Sequence, residues 1–462
     1  MNIISNSWGR NGILAGCASL FALSCSAGES GKNHSVPNVL VILADDLGFA
    51  DLSCQGTSDI KTPNIDRIFN GGMRFSNFYA NCTVCSPTRA ALLTGRYPDM
   101  AGVPGVIRTD EEDSWGFLSP GVTLLPEKLK KAGYETALIG KWHLGLEKPN
   151  LPNLRGFDHF HGFLGDMMDD YQSHLRHGNN YMRKNSMVVD PQGHATDVFT
   201  GWTLDYLESR IKDKNPFFLY LAYNAPHDPV QPPDEWVRKV RQREKGITDK
   251  RSKLVALIEH MDWNIGRVLD KLNSLQLLDN TLIIFTSDNG GVLGNGANNG
   301  PFRGGKQDLY EGGIRVPAAF MWKNRITPGS VFTGLATTMD MFPTVCAVAG
   351  VKPDESTDGI TLLAALTGKE QDTNNRTVYF MRREGNMRYG GMVYYAARFR
   401  DYKILQNTPW EPMQFFNVKD DPAERNPLEK AGNKNYEDLY RQLSQHIRRA
   451  GAVPWQKPPA LK

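Results

Sequence analysis

Asn38-Val39-Leu40-Val41-Ile42-Leu43-Ala44, running straight into Asp45-Asp46, decides how the rest of this chain reads. A short, apolar, largely β-branched run without polar alternation suits a strand covered on both faces, as in the centre of a parallel sheet. Glu135 to Ile139, Pro216 to Ala222 and Leu282 to Ser287 have the same character. Helical patterns lie between them, over Thr123 to Ala132, Asp197 to Ile211 and Leu254 to Leu272. In the last, Leu254, Leu257, Met261, Ile265, Val268 and Leu272 recur at steps of three and four, which puts one apolar face against a sheet. His260 and Asp262 belong to this helix and read as structural. Strands alternating with helices predict an α/β fold: a large mixed, mostly parallel sheet covered by helices on both faces.

Each of the four strands ends in a polar cluster: Asp45-Asp46, Gly140-Lys141-Trp142-His143, Asn224-Ala225-Pro226-His227 and Asp288-Asn289-Gly290. Ligands of open α/β sheets bind beyond the carboxyl ends of the strands, so these distant clusters are expected to converge on one site. Asp45, Asp46, Asp288 and Asn289 offer only hard oxygen donors, a set that favours Ca²⁺ over zinc.

Residues 145–195, rich in Asn, Gly, His and Asp with little periodicity, read as a long loop insertion. Beyond residue 370 the pattern changes. Val378-Tyr379-Phe380, Met392 to Tyr395, Tyr402 to Leu405 and Gln414-Phe415-Phe416 are short strand-like runs, followed by an amphipathic stretch from Tyr436 to Arg448. They predict a small antiparallel sheet with one helix, so that 36–370 forms the larger α/β domain and 371–462 a C-terminal subdomain.

With 462 residues, 40% of them hydrophobic, the chain can bury a large core. Its net charge of +3 is spread without a like-charged block, so composition points to neither a nucleic-acid arm nor a polybasic membrane patch. Arg10 and the apolar run from Ile13 to Leu23 read as a signal peptide over residues 1–27, too short for a transmembrane span. Leu14-Ala15-Gly16-Cys17 and Ala22-Leu23-Ser24-Cys25 look like lipoprotein boxes, beside a cut after Ala27. Export to a bacterial periplasm and lipid anchoring at the cell envelope are both open. Cys54, Cys82, Cys85 and Cys346 are too dispersed for a disulfide framework, and Cys54 and Cys346 read as buried small hydrophobes. Cys82 and Cys85 have a redox or zinc spacing, but no second pair accompanies them.

Cys85-Ser86-Pro87-Thr88-Arg89, followed by Leu92-Leu93-Thr94-Gly95-Arg96, resembles the sequence at which type I sulfatases, of the alkaline phosphatase superfamily, oxidise an active-site cysteine to formylglycine (3-oxoalanine). The likeness runs from Asn38 to about Asn426. It includes the acidic pairs, Gly140 to His143, Pro226-His227, Gly304-Gly305-Lys306, Glu311 to Pro317 and Asp420 to Asn426. It implies hydrolysis of a sulfate ester by a formylglycine hydrate at position 85, with Ca²⁺ bound by Asp45, Asp46, Asp288, Asn289 and residue 85 itself. A maturase would have to make the aldehyde. The resemblance further implies that Arg89 steadies the hydrate, Lys141 holds a sulfate oxygen and His143 takes a proton from the second hydroxyl. His227 and Lys306 would serve the leaving group.

Asp169, Asp170, His174, Arg176 and His177 of the insertion, together with Arg315, are candidate contacts to a sulfated saccharide, such as sulfated galactose or N-acetylgalactosamine units of host glycans. Two alternatives stand beside this reading: a phosphodiester or phosphonate monoester hydrolase of the same superfamily, and a catalytically silent glycan-binding homologue.

Overall fold

The computed structural model describes residues 36–213, 215–385 and 392–458. The signal peptide expected over 1–27 lies outside the described residues. A ten-stranded sheet organises the fold. From one edge its order is Ser330–Phe332, Met73–Phe75, Ala318–Met321, Thr281–Ser287, Asn38–Ala44, Phe217–Ala222, Glu135–Lys141, His159–Phe163, Met182–Lys184 and Met187–Val188. The five strands from Thr281–Ser287 to His159–Phe163 are parallel, and antiparallel pairings flank them on both sides. The four strands expected from sequence are therefore neighbours, and their carboxyl ends lie on one edge.

Alternation along the central strand sorts the helices. Val39, Val41 and Leu43 pack in one core with α2 (Cys85–Thr94), α3 (Leu125–Lys131), α8 (Met341–Val348) and α9 (Leu363–Leu366). Leu40, Ile42 and Ala44 pack in another with α1 (Pro63–Gly71), α4 (Ala195–Ser209), α5 (Asp234–Arg243) and α6 (Asp249–Ser274). A strand buried on both sides must be apolar at every position, which is why Asn38 to Ala44 lacks period-two polarity. Asp262 on α6 accepts the backbone N–H groups of Asn64 and Ile65 at 3.0 and 2.7 Å and so caps α1. His260 is held by Asp197 at 3.0 Å.

The 145–195 segment differs from the expected loop, because it supplies His159–Phe163, Met182–Lys184 and Met187–Val188 to the sheet. His159 and His161 interrupt the apolar pattern there, and strands near the sheet border do not require an unbroken hydrophobic run. Cys346 is buried as expected; Cys54 is only half-buried, its backbone N–H held by Asp66 in the first turn of α1.

Thr377–Glu384, Met392–Phe399, Tyr402–Gln406 and Gln414–Asn417 form an antiparallel four-stranded meander. The C-terminal helix α10 (Lys434–Gly451) covers one face through Leu439 and Leu443, which meet Ala397, Ile404 and Phe415. The other face brings Val378, Phe380, Leu405 and Phe416 against Tyr79, Ala91 and Ile314 of the larger layer. Past α10, the Trp455 ring stacks on Trp115 at 4.5 Å, and Lys457 reaches Glu111 and Glu147. These residues wall a cavity of about 720 Å³, whose inner side is Leu118, Leu144 and Asn150.

Candidate active site

Residue 85 is the first residue of α2, all ten of whose residues are buried. Pro87 lies in the first turn, where a missing N–H breaks no helical bond, and Gly95 ends the helix in the left-handed conformation. Thr88 Oγ1 donates to Cys82 O and accepts the Cys82 N–H, fixing the approach to the helix. The unmodified Cys85 thiol is pushed well above its ordinary range by burial and then by the Asp45 charge. A bare cysteine here is therefore a neutral thiol and a poor nucleophile.

The ends of the parallel strands surround it. Cys85 Sγ lies 3.4 Å from Asp45 Oδ1, and Lys141 Nζ is 2.5 Å from Asp45 Oδ2. Arg89, fully buried, donates through Nε and Nη2 to Asp288 at 3.1 and 2.7 Å and through Nη1 to Lys141 O at 3.2 Å. Lys306 Nζ bonds Asp46 at 2.8 Å. Three carboxylates thus face three cations, all buried except Lys306, whose side chain keeps 14% exposure, with charge placed where a sulfate ester or a metal would add its own.

The protonation states follow from this enclosure. Burial opposes the charge of Asp45, but Lys141 foremost, with His227 and Arg89, holds it well below the carboxylate range. For Asp288, burial and the Asp45 charge outweigh Arg89 and raise it to about 7. A cation among these groups would reverse that rise. Asn289 tests the same point: its Nδ2 donates to Asp46 at 2.7 Å, while Oδ1 is buried without a hydrogen-bond partner. An orphaned amide oxygen beside three buried carboxylates fits a hard divalent cation. Asp46 adopts φ 68° and His143 φ 59°, so the backbone is held in a sparsely populated region at two of these positions.

The two histidines are presented differently. His143 Nε2 donates to Ile107 O at 2.7 Å, and the Ile107 N–H is held by Ser86 Oγ at 3.1 Å. Nδ1 is buried without a partner, and burial, with Lys141 and Arg89, keeps the ring well below its usual pKa. It is a neutral imidazole with a free lone pair. His227 Nδ1 donates to Asp228 O, and Nε2 lies 2.8 Å from Lys306 Nζ. Burial and then Lys306 lower its pKa, whereas Asp46 raises that of Lys306 despite burial. The proton between them therefore rests on the lysine.

The structure thus gathers Asp45, Asp46, Cys85, Arg89, Lys141, His143, His227, Asp288, Asn289 and Lys306 in one connected cluster. The insertion residues stand apart. Arg176 is paired with Asp166 and Asp169, Asp170 accepts the N–H groups of Gln172 and Ser173, and His174 bonds Gly193 O. His177 is exposed, with its backbone N–H on Asp169. Arg315 bonds Ser76 O and lies over the Phe302 ring.

Tyr171 and Asn299 support the site. The buried Tyr171 hydroxyl lies 2.8 Å from Asn224 O and 3.0 Å from His227 O, bracing the His227 turn. Asn299 bonds the backbone of Gly291 and Gly304, joining the turn after Asn289 to the Lys306 loop. Asn299 carries no sequence signal beyond its type.

This arrangement is that of a family. The chain belongs to the sulfatases, enzymes that hydrolyse sulfuric esters: the family model described as Sulfatase matches residues 37–351, and the one described as N-sulphoglucosamine sulphohydrolase, C-terminal, matches residues 304–452. Among its relatives is human N-acetylgalactosamine-6-sulfatase, 35% identical over 71% of this chain and 66% of that enzyme's length. Rat arylsulfatase G is 30% identical over 87% of this chain and 84% of its own. The solved structure of Ps i-CgsB in complex with k-i-k-neocarrahexaose superposes with a TM-score of 0.82 at 31% identity, covering 91% of this chain and 95% of that one. The large mixed sheet with its small antiparallel companion is the fold of such neighbours.

Proposed function

We propose that this chain hydrolyses sulfate esters of saccharides, with residue 85 converted to formylglycine and Ca²⁺ held by Asp45, Asp46, Asp288, Asn289 and residue 85. The observation that carries the proposal is the buried cluster itself, where three carboxylates and an unpaired amide oxygen adjoin residue 85. When present, the hydrated aldehyde supplies an oxygen nucleophile with a second hydroxyl on the same carbon, and the cation supplies a Lewis acid.

The chain's own groups do the rest. Lys141 and Arg89 surround the sulfate with fixed positive charge that needs no reorganisation as the ester breaks. His143 receives a proton at Nδ1, its Nε2–H staying on Ile107 O. Lys306, with His227 Nε2 beside it, delivers a proton to the bridging oxygen, without which a sugar would depart as an alkoxide.

A saccharide substrate is supported by the carbohydrate complex and the hexosamine sulfatase among the similar proteins. We place the sugar beside the insertion, whose Asp170 and Tyr171 adjoin the His227 turn through Gln231 and Asn224. Sulfated galactose or N-acetylgalactosamine is the substrate we infer. A formylglycine-generating maturase is the partner this chemistry requires, and the N-terminal run supports export to the periplasm or envelope. Among the described residues, no helix is long and apolar enough to cross a membrane. We further assign residues 371–462 to a C-terminal subdomain.

The test has two arms. Mass spectrometry of the peptide containing residue 85 should show the aldehyde in active protein, and that protein should release sulfate from sulfated saccharides and aryl sulfates faster than phosphate from aryl phosphate diesters. Activity carried by unmodified thiol, or a preference for the diester, would sink the proposal.

A further inference from the structure

Beneath the Lys306 loop lies a buried charge network that the chemistry above does not use. Glu311, Lys403 and Glu424 are all fully buried. Lys403 Nζ, from the four-stranded sheet, sits 3.0 Å from Glu311 Oε1 and 2.9 Å from Glu424 Oε1. Glu311 Oε2 accepts the Tyr79 hydroxyl at 2.6 Å, and Glu424 Oε2 accepts the Glu311 backbone N–H at 2.6 Å. Glu424 O accepts Arg303 Nη1 at 2.9 Å. Replacing a buried charged group of this kind by apolar residues of similar volume is often neutral or stabilising, so stability alone is a weak reason for it.

What the network holds is more informative. Glu311 opens the short helix α7 (Glu311–Ile314), onto which three segments of the active site pack. The Gly290 N–H bonds Gly313 O at 2.9 Å, and a Cβ on Gly290 would fall 1.9 Å from Gly312 O. The Gly312 N–H bonds Arg303 O at 2.8 Å, three residues before Lys306. A Cβ on Gly313 would meet Asp308 O at 2.0 Å and Thr83 Oγ1 at 2.8 Å. Thr83 in turn donates to Asp308 O and accepts the Gln307 N–H. Backbones this close leave no slack: a displacement of α7 is passed to the Asn289 turn, the Lys306 loop and the segment entering residue 85.

We infer that Glu311, Lys403 and Glu424 are positioning residues through which the C-terminal sheet sets the place of Lys306 for protonation of the leaving group. The inference rests on the role given to Lys306 above. It assigns the small sheet a part in the reaction although none of its residues belongs to the catalytic cluster. It also explains why Glu311 and the Asp420 to Asn426 stretch accompany the catalytic motifs in sequence: the two are the ends of one buried bridge.

The discriminating property is dependence on the leaving group. In full-length, matured protein, Lys403→Met and Glu311→Gln should leave kcat/KM for nitrophenyl sulfate within about threefold of wild type. Against aryl sulfates with progressively poorer phenol leaving groups, the loss should grow to tenfold or more, within the roughly 10²–10⁴-fold that a positioned proton donor contributes. Lys306→Ala should show the same trend more steeply, and adding Lys403→Met to it should cost little further, because both act through one group. A loss equal for all leaving groups, or additive in the double variant, would show a merely structural network and overturn the inference. If Lys403→Met does not fold, Glu424→Gln, which preserves shape and an acceptor for the Glu311 N–H, takes its place in the same comparison. A wild-type protein that hydrolyses no sulfate ester would overturn the proposed function and this inference with it, whereas an unchanged leaving-group slope would overturn this inference alone.

Discussion

Arg89 is the residue on which the cluster's geometry turns, since its fork spans Asp288, Asp45 and the Lys141 carbonyl from a position with no exposure. Removing one partner of a buried pair leaves the other uncompensated, at a cost of about 3–5 kcal/mol. Arg89→Met should therefore lower unfolding stability by about that amount in denaturant titrations, besides abolishing activity. His143 is a different case: its ring is neutral, so His143→Ala should cost less, about 1–3 kcal/mol for the Ile107 carbonyl left unpaired, while kcat falls by about 10²–10⁴-fold. A fall of less than fivefold would remove it from the mechanism.

Chelation tests the orphaned Asn289 oxygen. On the proposed function, treating purified protein with a chelator should abolish turnover and lower Tm, with both restored by adding Ca²⁺, because an ion that binds only the folded state stabilises it by mass action. Most of this site was legible in sequence because its residues sit at strand ends, where a polar cluster after an apolar run announces itself. Lys403 was not, and although Glu311 and Glu424 lie within matched motifs, no sequence pattern tells a buried charge from a solvated one.

Among the elements, Asn38–Ala44 matches its expected limits at both ends, since burial on both faces leaves an unbroken apolar signal bounded by charge. His159–Phe163 gave no such signal, having histidines on a half-buried face. Helix α4 shows how an element can carry a pH response. Its N-cap is His194, whose Nδ1 accepts the Thr196 N–H while Nε2 donates to Gln231 O. Both nitrogens are engaged in the neutral form, and burial, then His260, lowers the pKa to about 4. The unfolded chain, with an ordinary histidine near 6.5, binds the proton first as pH falls. Stability from this group is thus complete above about pH 6.5 and is lost on acidification toward pH 4, amounting to at most roughly 3 kcal/mol. His194→Asn, which retains a capping oxygen, should flatten the stability–pH curve over that window; an unchanged slope would contradict the assignment.

On the scale of the whole molecule, the site takes residues from Asp45 to Lys306 and its bracing from Glu424, so it exists only once the sheet is complete. Parallel strands distant in sequence make such assembly slow and dependent on long-range contacts. The C-terminal region adds a further contact, where Trp455 and Lys457 fasten the segment after α10 on the 105–118 loop that also supplies Ile107 to His143. Trp455→Ala should cost about 1 kcal/mol for the lost ring pair, and hydrogen exchange should quicken in that loop before it does in the sheet.

The same ring pair has an optical consequence. Two indoles lying 16° from parallel and 4.5 Å apart are close enough for their electronic transitions to couple, so circular dichroism of the folded protein should show a paired band of opposite signs that isolated tryptophans lack. That band should disappear in Trp455→Ala, giving a label-free reading of whether the segment after α10 is docked on the 105–118 loop.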